Sequence, residues 1–111
     1  MERFAKGSVV VVPFPYSDLS QNKTRPALVL GYSQYSDLLL CQITSRPFSD
    51  PRAISITNTD FQKGSLPRNS FIRPLKLFTA SQDIIICEMG ILKKPNLEKV
   101  IFNLIQFLKN E

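Results

Sequence analysis

Short apolar runs, each closed off by proline or glycine within a few residues, most restrict what this chain can fold into. "VVVV" at 9–12 stops at Pro13, and "ALVL" at 27–30 lies between Pro26 and Gly31. "LLLCQIT" at 38–44, "AISIT" at 53–57 and "IIICEMGIL" at 84–92 follow. Runs of this length, rich in β-branched residues and bounded by turn formers, read as strands. Strands are predicted at Val9–Phe14, Ala27–Leu30, Leu38–Thr44, Ala53–Thr57 and Ile84–Leu92, the last with a bend at Gly90. Ser70–Arg73 and Lys76–Phe78 read as two short strands or as one bent around Pro74. The connections are too short for crossovers, so pairing is expected to be antiparallel. Many short strands with frequent turns point to a small barrel or sandwich.

The C-terminus changes period. Leu97, Val100, Ile101, Leu104, Ile105 and Leu108 recur at helical spacing. Asn96 is read as the N-cap after Pro95, with Glu98 in the first turn, giving a helix over about 96–109. Phe102 and Phe107 fall off this stripe and are read as packing residues or as contacts for a partner. With 111 residues and no linker or repeat, the chain reads as one domain, 1–111, with strands over 7–92.

No apolar run approaches the roughly 20 residues of a membrane span, and "MERFAKGS" has no signal-like apolar region behind it. A cytoplasmic protein without membrane contact is expected. Cys41 and Cys87 both lie in apolar runs and are expected as small buried hydrophobes, reduced in the cell. Without histidine, two cysteines do not supply a zinc site.

The net charge of +5 is concentrated. Between Ser20 and Lys76 eight basic residues face three acidic ones, whereas the flanks carry six of each. An excess of positive charge in the middle of the chain suits a polyanionic partner such as nucleic acid. The polar connections "PYSDLSQNKT", "SRPFSDPR" and "NTDFQKGSLPRN" carry single aromatics and scattered cations, which fits single-stranded nucleic acid.

The residue inventory narrows the chemistry. No histidine means no Ser-His-Asp triad, Cys-His pair or paired-histidine ribonuclease site. There is no Gly-rich phosphate loop, and the acidic residues are too scattered for a carboxylate-held metal. RNA, however, carries its own nucleophile, the 2′-OH. A protein can promote its attack by clamping the phosphate with arginine, whose planar fork fits phosphate oxygens. Two stretches offer such groups. In "QNKTRPALVL", Arg25 abuts Pro26 at the start of an apolar strand, with Lys23 just before it. In "LLLCQITSRP", a strand delivers Thr44, Ser45 and Arg46 at its end; such hydroxyls either line a phosphate pocket or cap a turn.

In order along the chain, these segments resemble the MazF/PemK toxins, the endoribonuclease halves of bacterial toxin–antitoxin pairs. The resemblance rests on "KGSVVVVPFPYSDLSQNKTRPALVL", "LLLCQITSR", "GSLPRNSFIRPLKLFTA", "IIICEMGIL" and "LEKVIFNLIQFL". It implies a mainly β fold with a C-terminal α-helix, a small SH3-like antiparallel β-barrel, as a homodimer. It also implies metal-independent, cofactor-free cleavage of single-stranded RNA at a short sequence, giving a 2′,3′-cyclic phosphate and a 5′-OH. Arg25 and Thr44 fall on the family's catalytic positions, with Ser45 and Arg46 beside the latter. Asp18 lies in the loop that gates the site, Lys23 is a contact for RNA, and Arg73 is a further phosphate or structural contact. A cognate antitoxin would block this surface. The family's Gly-Asp pair reads Gly7-Ser8 here, which puts the hydrogen bonding of the first strand in question. Two other functions stay open: a non-catalytic RNA- or protein-binding module, and a toxin of this fold that inhibits DNA gyrase.

Overall fold

A computed structural model describes residues 3–14, 23–47 and 49–110. Its strands are β1 (Ser8–Phe14), β2 (Lys23–Gln34), β3 (Asp37–Thr44), β4 (Ile54–Ile56), β5 (Phe61–Gly64), β6 (Ser70–Ser81) and β7 (Cys87–Leu92). The helix α1 (Lys94–Asn110) ends the chain. The strands form one antiparallel sheet, ordered β4-β6-β3-β2-β1-β7-β5 and curled into a half-barrel. The mainly β architecture with a C-terminal helix is as expected. No helix among the described residues is long and apolar enough to cross a membrane.

The valine run explains where β1 sits. Successive side chains of a strand point to opposite faces, so an unbroken apolar run needs cover on both. Val9 joins Leu28, Ile43 and Ile72 on the face packed under Val100 of α1. Val10 and Val12 join Ala27, Val29, Leu38 and Leu40 on the other, which Phe4, Tyr32, Phe78 and Ile85 cover. The N-terminal segment is fastened over that second face. The amide of Arg3 and the hydroxyl of Tyr32 both donate to Oε1 of Gln82, and Tyr32 also accepts from the amide of Phe4.

Gly7-Ser8 keeps a carboxylate partner. Ser8 is fully buried, and its hydroxyl donates to Glu88 Oε2 at 2.8 Å, so a neighbouring strand supplies the acid. The amide of Gly7 donates to the Val29 carbonyl and its carbonyl accepts from Leu92, both at 2.9 Å.

Several expectations differ from the fold. β2 begins at Lys23, four residues before Ala27. Segment 70–81 is one strand, in which the register jumps from Cys41↔Leu77 to Gln42↔Arg73, leaving Pro74 in a bulge where no ladder N–H is needed. The strand β5 falls within a segment expected to be a connection; only Phe61 of its four residues is buried, so it has no apolar alternation to detect. Residues 82–84 form a 3₁₀ turn, started where the Ser81 hydroxyl accepts from the Asp83 amide. The helix begins at Lys94, ahead of an Asn96 cap, because the Lys93 carbonyl already accepts from the Asn96 and Leu97 amides. Leu97, Val100, Ile101 and Leu104 pack inward, whereas Ile105 and Leu108 stay exposed with Phe102. Phe107 lies under the Arg52 guanidinium, 4.9 Å from ring centroid to Cζ. Cys41 is buried as expected, which pushes its thiol up to about 12. Cys87 is exposed.

Candidate active site

The register of three strands assembles the site. On one side β2 pairs with β1 from Lys23 to Leu28; on the other its pairing with β3 starts at Ala27↔Gln42. Residues 23–26 therefore have a neighbour on one side only. Pro26, which lacks an N–H, sits where no β3 ladder bond is lost. Continuing the Ala27↔Gln42 register by two residues sets Arg25 opposite Thr44, and there the strands have parted. A cleft opens in the gap.

The cleft has two lobes that share Arg25, Thr44, Ser45 and Arg68. One lobe, about 280 Å³, is walled mainly by apolar groups, including Val11, Pro26, Ile43, Leu66, Pro67 and Met89. The other, about 360 Å³, is polar, and Gln42, Arg46 and Arg73 complete its lining. Four arginines thus line the polar lobe, and no carboxylate is among its described lining residues. An anion in such a concave site meets charge at its walls with reduced solvent screening.

Each group is held differently. Arg25 is half-buried, and its guanidinium has no hydrogen bond or ion pair among the described residues. Thr44 is 8% exposed, and its hydroxyl accepts from the Arg46 amide at 3.1 Å and approaches the Arg46 carbonyl at 3.2 Å. This hydroxyl caps the turn after β3, one of the two roles read for it. Its proton is still free to rotate from that carbonyl toward a ligand. Ser45 and Arg46 are exposed. Arg73 donates from Nε to Asp50 Oδ2 at 2.7 Å and reaches Gln42 Oε1 from Nη1 at 3.5 Å. Asp50 is held below the usual carboxylate range chiefly by that bond from Arg73, against desolvation and with help from the Arg52 amide.

Five of the seven residues singled out in the sequence thus meet in the cleft: Arg25, Thr44, Ser45, Arg46 and Arg73. Lys23 is exposed at the start of β2 and does not line either lobe. Asp18 lies outside the described residues.

Arg68 and Gln42 are the additions. Arg68 arrives through a close crossing of β5 and β7, where Gly64 pairs with Gly90. A Cβ on Gly64 would collide with the Met89 carbonyl, and its φ of +72° is one that side-chain-bearing residues rarely adopt. Beyond that pairing, the buried Ser70 hydroxyl donates to the Arg68 carbonyl at 3.0 Å, and Arg68 lines the cleft with Thr44. The sequence signal was the string "GSLPRNS", a basic residue between turn formers. Gln42 offered none, since one glutamine in an apolar strand could face either way.

Solved structures share this fold. MazE-MazF from Deinococcus radiodurans, crystal form II, superposes with a TM-score of 0.76 at 18% identity, covering 97% of each chain. An endoribonuclease from a Mycobacterial species gives 0.71 at 14% identity, covering 97% of this chain and 93% of that one. An endoribonuclease in complex with its cognate antitoxin, also Mycobacterial, gives 0.68 at 14% identity over 96% and 93%. At such identities the likeness is one of fold. A search of the curated proteins finds no match. A family model does match, over residues 5–108, taking in every strand and nearly all of the helix. The chain that folds into this half-barrel and gathers arginines at the end of β3 belongs to the PemK-like, MazF-like toxins of type II toxin–antitoxin systems.

Proposed function

We propose that the protein is a sequence-specific endoribonuclease that cleaves single-stranded RNA, mRNA in the cell, without a metal or other cofactor. The observation that carries this reading is that Arg25 and Thr44, both beyond the end of the β2–β3 ladder, line one cleft with three further arginines.

A phosphate seated in the polar lobe would place its non-bridging oxygens among guanidinium forks. The 2′-OH of the preceding ribose attacks phosphorus as the P–O5′ bond breaks, leaving a 2′,3′-cyclic phosphate and a 5′-OH. The 2′ proton passes to a base and O5′ takes one up. Arginine is no such base, since its pKa exceeds about 12, and none of the cleft's lining residues is assigned that role. The cleft's contribution is therefore charge stabilisation: Arg25 meets the negative charge that grows on the phosphoryl oxygens, and the Thr44 hydroxyl adds a donor. Preorganised donors of this kind are often the largest single catalytic term. Ser45, Arg46 and Arg73 bind the flanking strand, and the apolar lobe offers a face on which a splayed base can rest. Lys23 and Asp18 are assigned to RNA at the margin of the site.

The family membership supports a cognate antitoxin as protein partner, and a homodimer in the cytoplasm as the working form. Incubation with mixed-sequence RNA in EDTA, followed by mapping of both new ends, tests the reading. Discrete cuts with cyclic phosphate ends support it. RNA that is bound but left intact would make the protein a binding module, and loss of cutting on chelation would sink the metal-free mechanism.

A further inference from the structure

Asp50 is the single acid in the basic loop 45–53, and both of its carboxylate oxygens are engaged. Oδ2 accepts from Arg73 Nε at 2.7 Å, and Oδ1 accepts from the backbone amide of Arg52 at 2.9 Å. The loop is folded around it: its own amide donates to the Pro47 carbonyl at 3.1 Å, and its carbonyl accepts from Ala53 at 3.3 Å. Next to it, the Arg52 guanidinium rests on Phe107 of α1. The Asp50 side chain is 12% exposed and that of Arg73 23%.

This pair differs from a fork-to-fork ion pair in one respect. A bidentate carboxylate would engage two nitrogens of the guanidinium. Here one oxygen is diverted to the Arg52 amide, so the carboxylate grips Arg73 through Nε. Nη1 leans toward Gln42, the β3 residue paired with Arg73, and Nη2 has no partner among the described residues. The guanidinium is thereby held at two nitrogens, and Arg73 lines the lobe that Thr44 and Arg25 also line.

We propose that Asp50 is a positioning residue for the substrate's phosphate backbone, acting through Arg73, whose plane it holds so that the Nη2 edge faces a phosphate in the polar lobe. The proposal deepens the ribonuclease reading, yet its binding arm stands apart from cleavage. A charge-assisted hydrogen bond that is already oriented needs no ordering at the moment of binding. Loosening Arg73 removes that advantage without removing its charge.

The test is a mutant cycle on the full chain, with two readouts: steady-state cleavage of an RNA oligonucleotide, and affinity for the same sequence as DNA, which lacks the 2′-OH nucleophile. Asp50→Asn keeps the size and one acceptor for Arg52, but turns a carboxylate oxygen into an amide facing Arg73 Nε–H. Affinity for the DNA analogue should fall about tenfold, equivalent to about 1.4 kcal/mol. KM for RNA should rise by a similar factor, with kcat changed less than about twofold. Arg73→Ala should lose about the same, and the double variant no more than either, because Asp50 works only through Arg73. Arg73→Lys, which keeps an ion pair with Asp50 but not the fork, should also bind about tenfold more weakly. Losses that multiply in the double variant, D50N binding like the wild type, or R73K binding like the wild type would each overturn the proposal. If the wild type binds the DNA analogue and cuts no RNA, the ribonuclease reading fails while the binding cycle still decides the role of Asp50.

Discussion

Replacing Arg25 by alanine should separate the proposed catalysis from folding. The side chain is half-buried on β2, outside both apolar clusters, and pairs with no acid among the described residues. Its backbone pairs with Val12, a contact that alanine keeps. Surface-like changes of this kind move stability by about 0.5 kcal/mol or less, a shift in melting temperature of roughly 2–4 °C for a chain near this size. By contrast, removing one preorganised donor from a developing oxyanion costs about 10²–10³ in kcat, about 2.7–4 kcal/mol of transition-state stabilisation. Arg25→Ala should therefore melt within a few degrees of the wild type by circular dichroism and cut an RNA oligonucleotide at least about 100-fold more slowly. Arg25→Lys should stay slow as well, since an ammonium keeps the charge but not the planar fork. An R25A protein that is folded and retains more than about a tenth of the wild-type rate would refute the assignment of Arg25 to the phosphate.

Thr44→Val should both slow cleavage by about 10²-fold and lower stability by about 1 kcal/mol, because its hydroxyl also caps the Arg46 amide; Thr44→Ser should restore most of both, as read by rate and denaturant midpoint. Asp50 should make the fold acid-sensitive. Its carboxyl titrates lower in the folded state than in the unfolded one, so its contribution is complete above the ordinary aspartate value of about 3.9 and is lost as pH falls through the lower folded value. Melting curves of wild type and D50N should accordingly converge below about pH 4, and curves that stay equally apart there would contradict the ion pair. A thiol reagent at neutral pH should modify Cys87 and spare Cys41 until the protein unfolds, because Cys41 is buried and its thiol is pushed up to about 12; two rapid equivalents in the native protein would contradict the core packing.

Expectations drawn from composition and short motifs succeeded where the signal is local. The four-valine run made a strand, with Val9 buried on one face and Val10 and Val12 on the other. The C-terminal stripe made a helix, although its inward face ends at Leu104 and leaves Ile105 and Leu108 exposed. Where the local signal was thin, the reading went astray. The strand Phe61–Gly64 has one buried residue, and "III" at 84–86 is apolar, yet Ile84 and Ile86 are exposed because Ser81 starts a turn there. Cys87 sits beside them in the same apolar string and is exposed too.

By itself the sequence determined which chemistry was possible: no histidine, a basic middle, and an Arg-Pro and an Ile-Thr-Ser each tied to an apolar strand. It also carried the ordered motifs that mark the family. Tertiary structure alone decided which of those groups meet. Arg25 and Thr44 line one cleft because the β2–β3 ladder starts at Ala27↔Gln42 and leaves both beyond its end, and a register is a property of two strands together. Arg68 reaches the cleft because two glycines let β5 and β7 cross closely, and Lys23, nearer to Arg25 in sequence, does not line it. Asp50 and Arg73, 23 residues apart, become one unit only where the loop before β4 folds back on β6. Residue type sets what a side chain can do, and strand order and register set what stands opposite it.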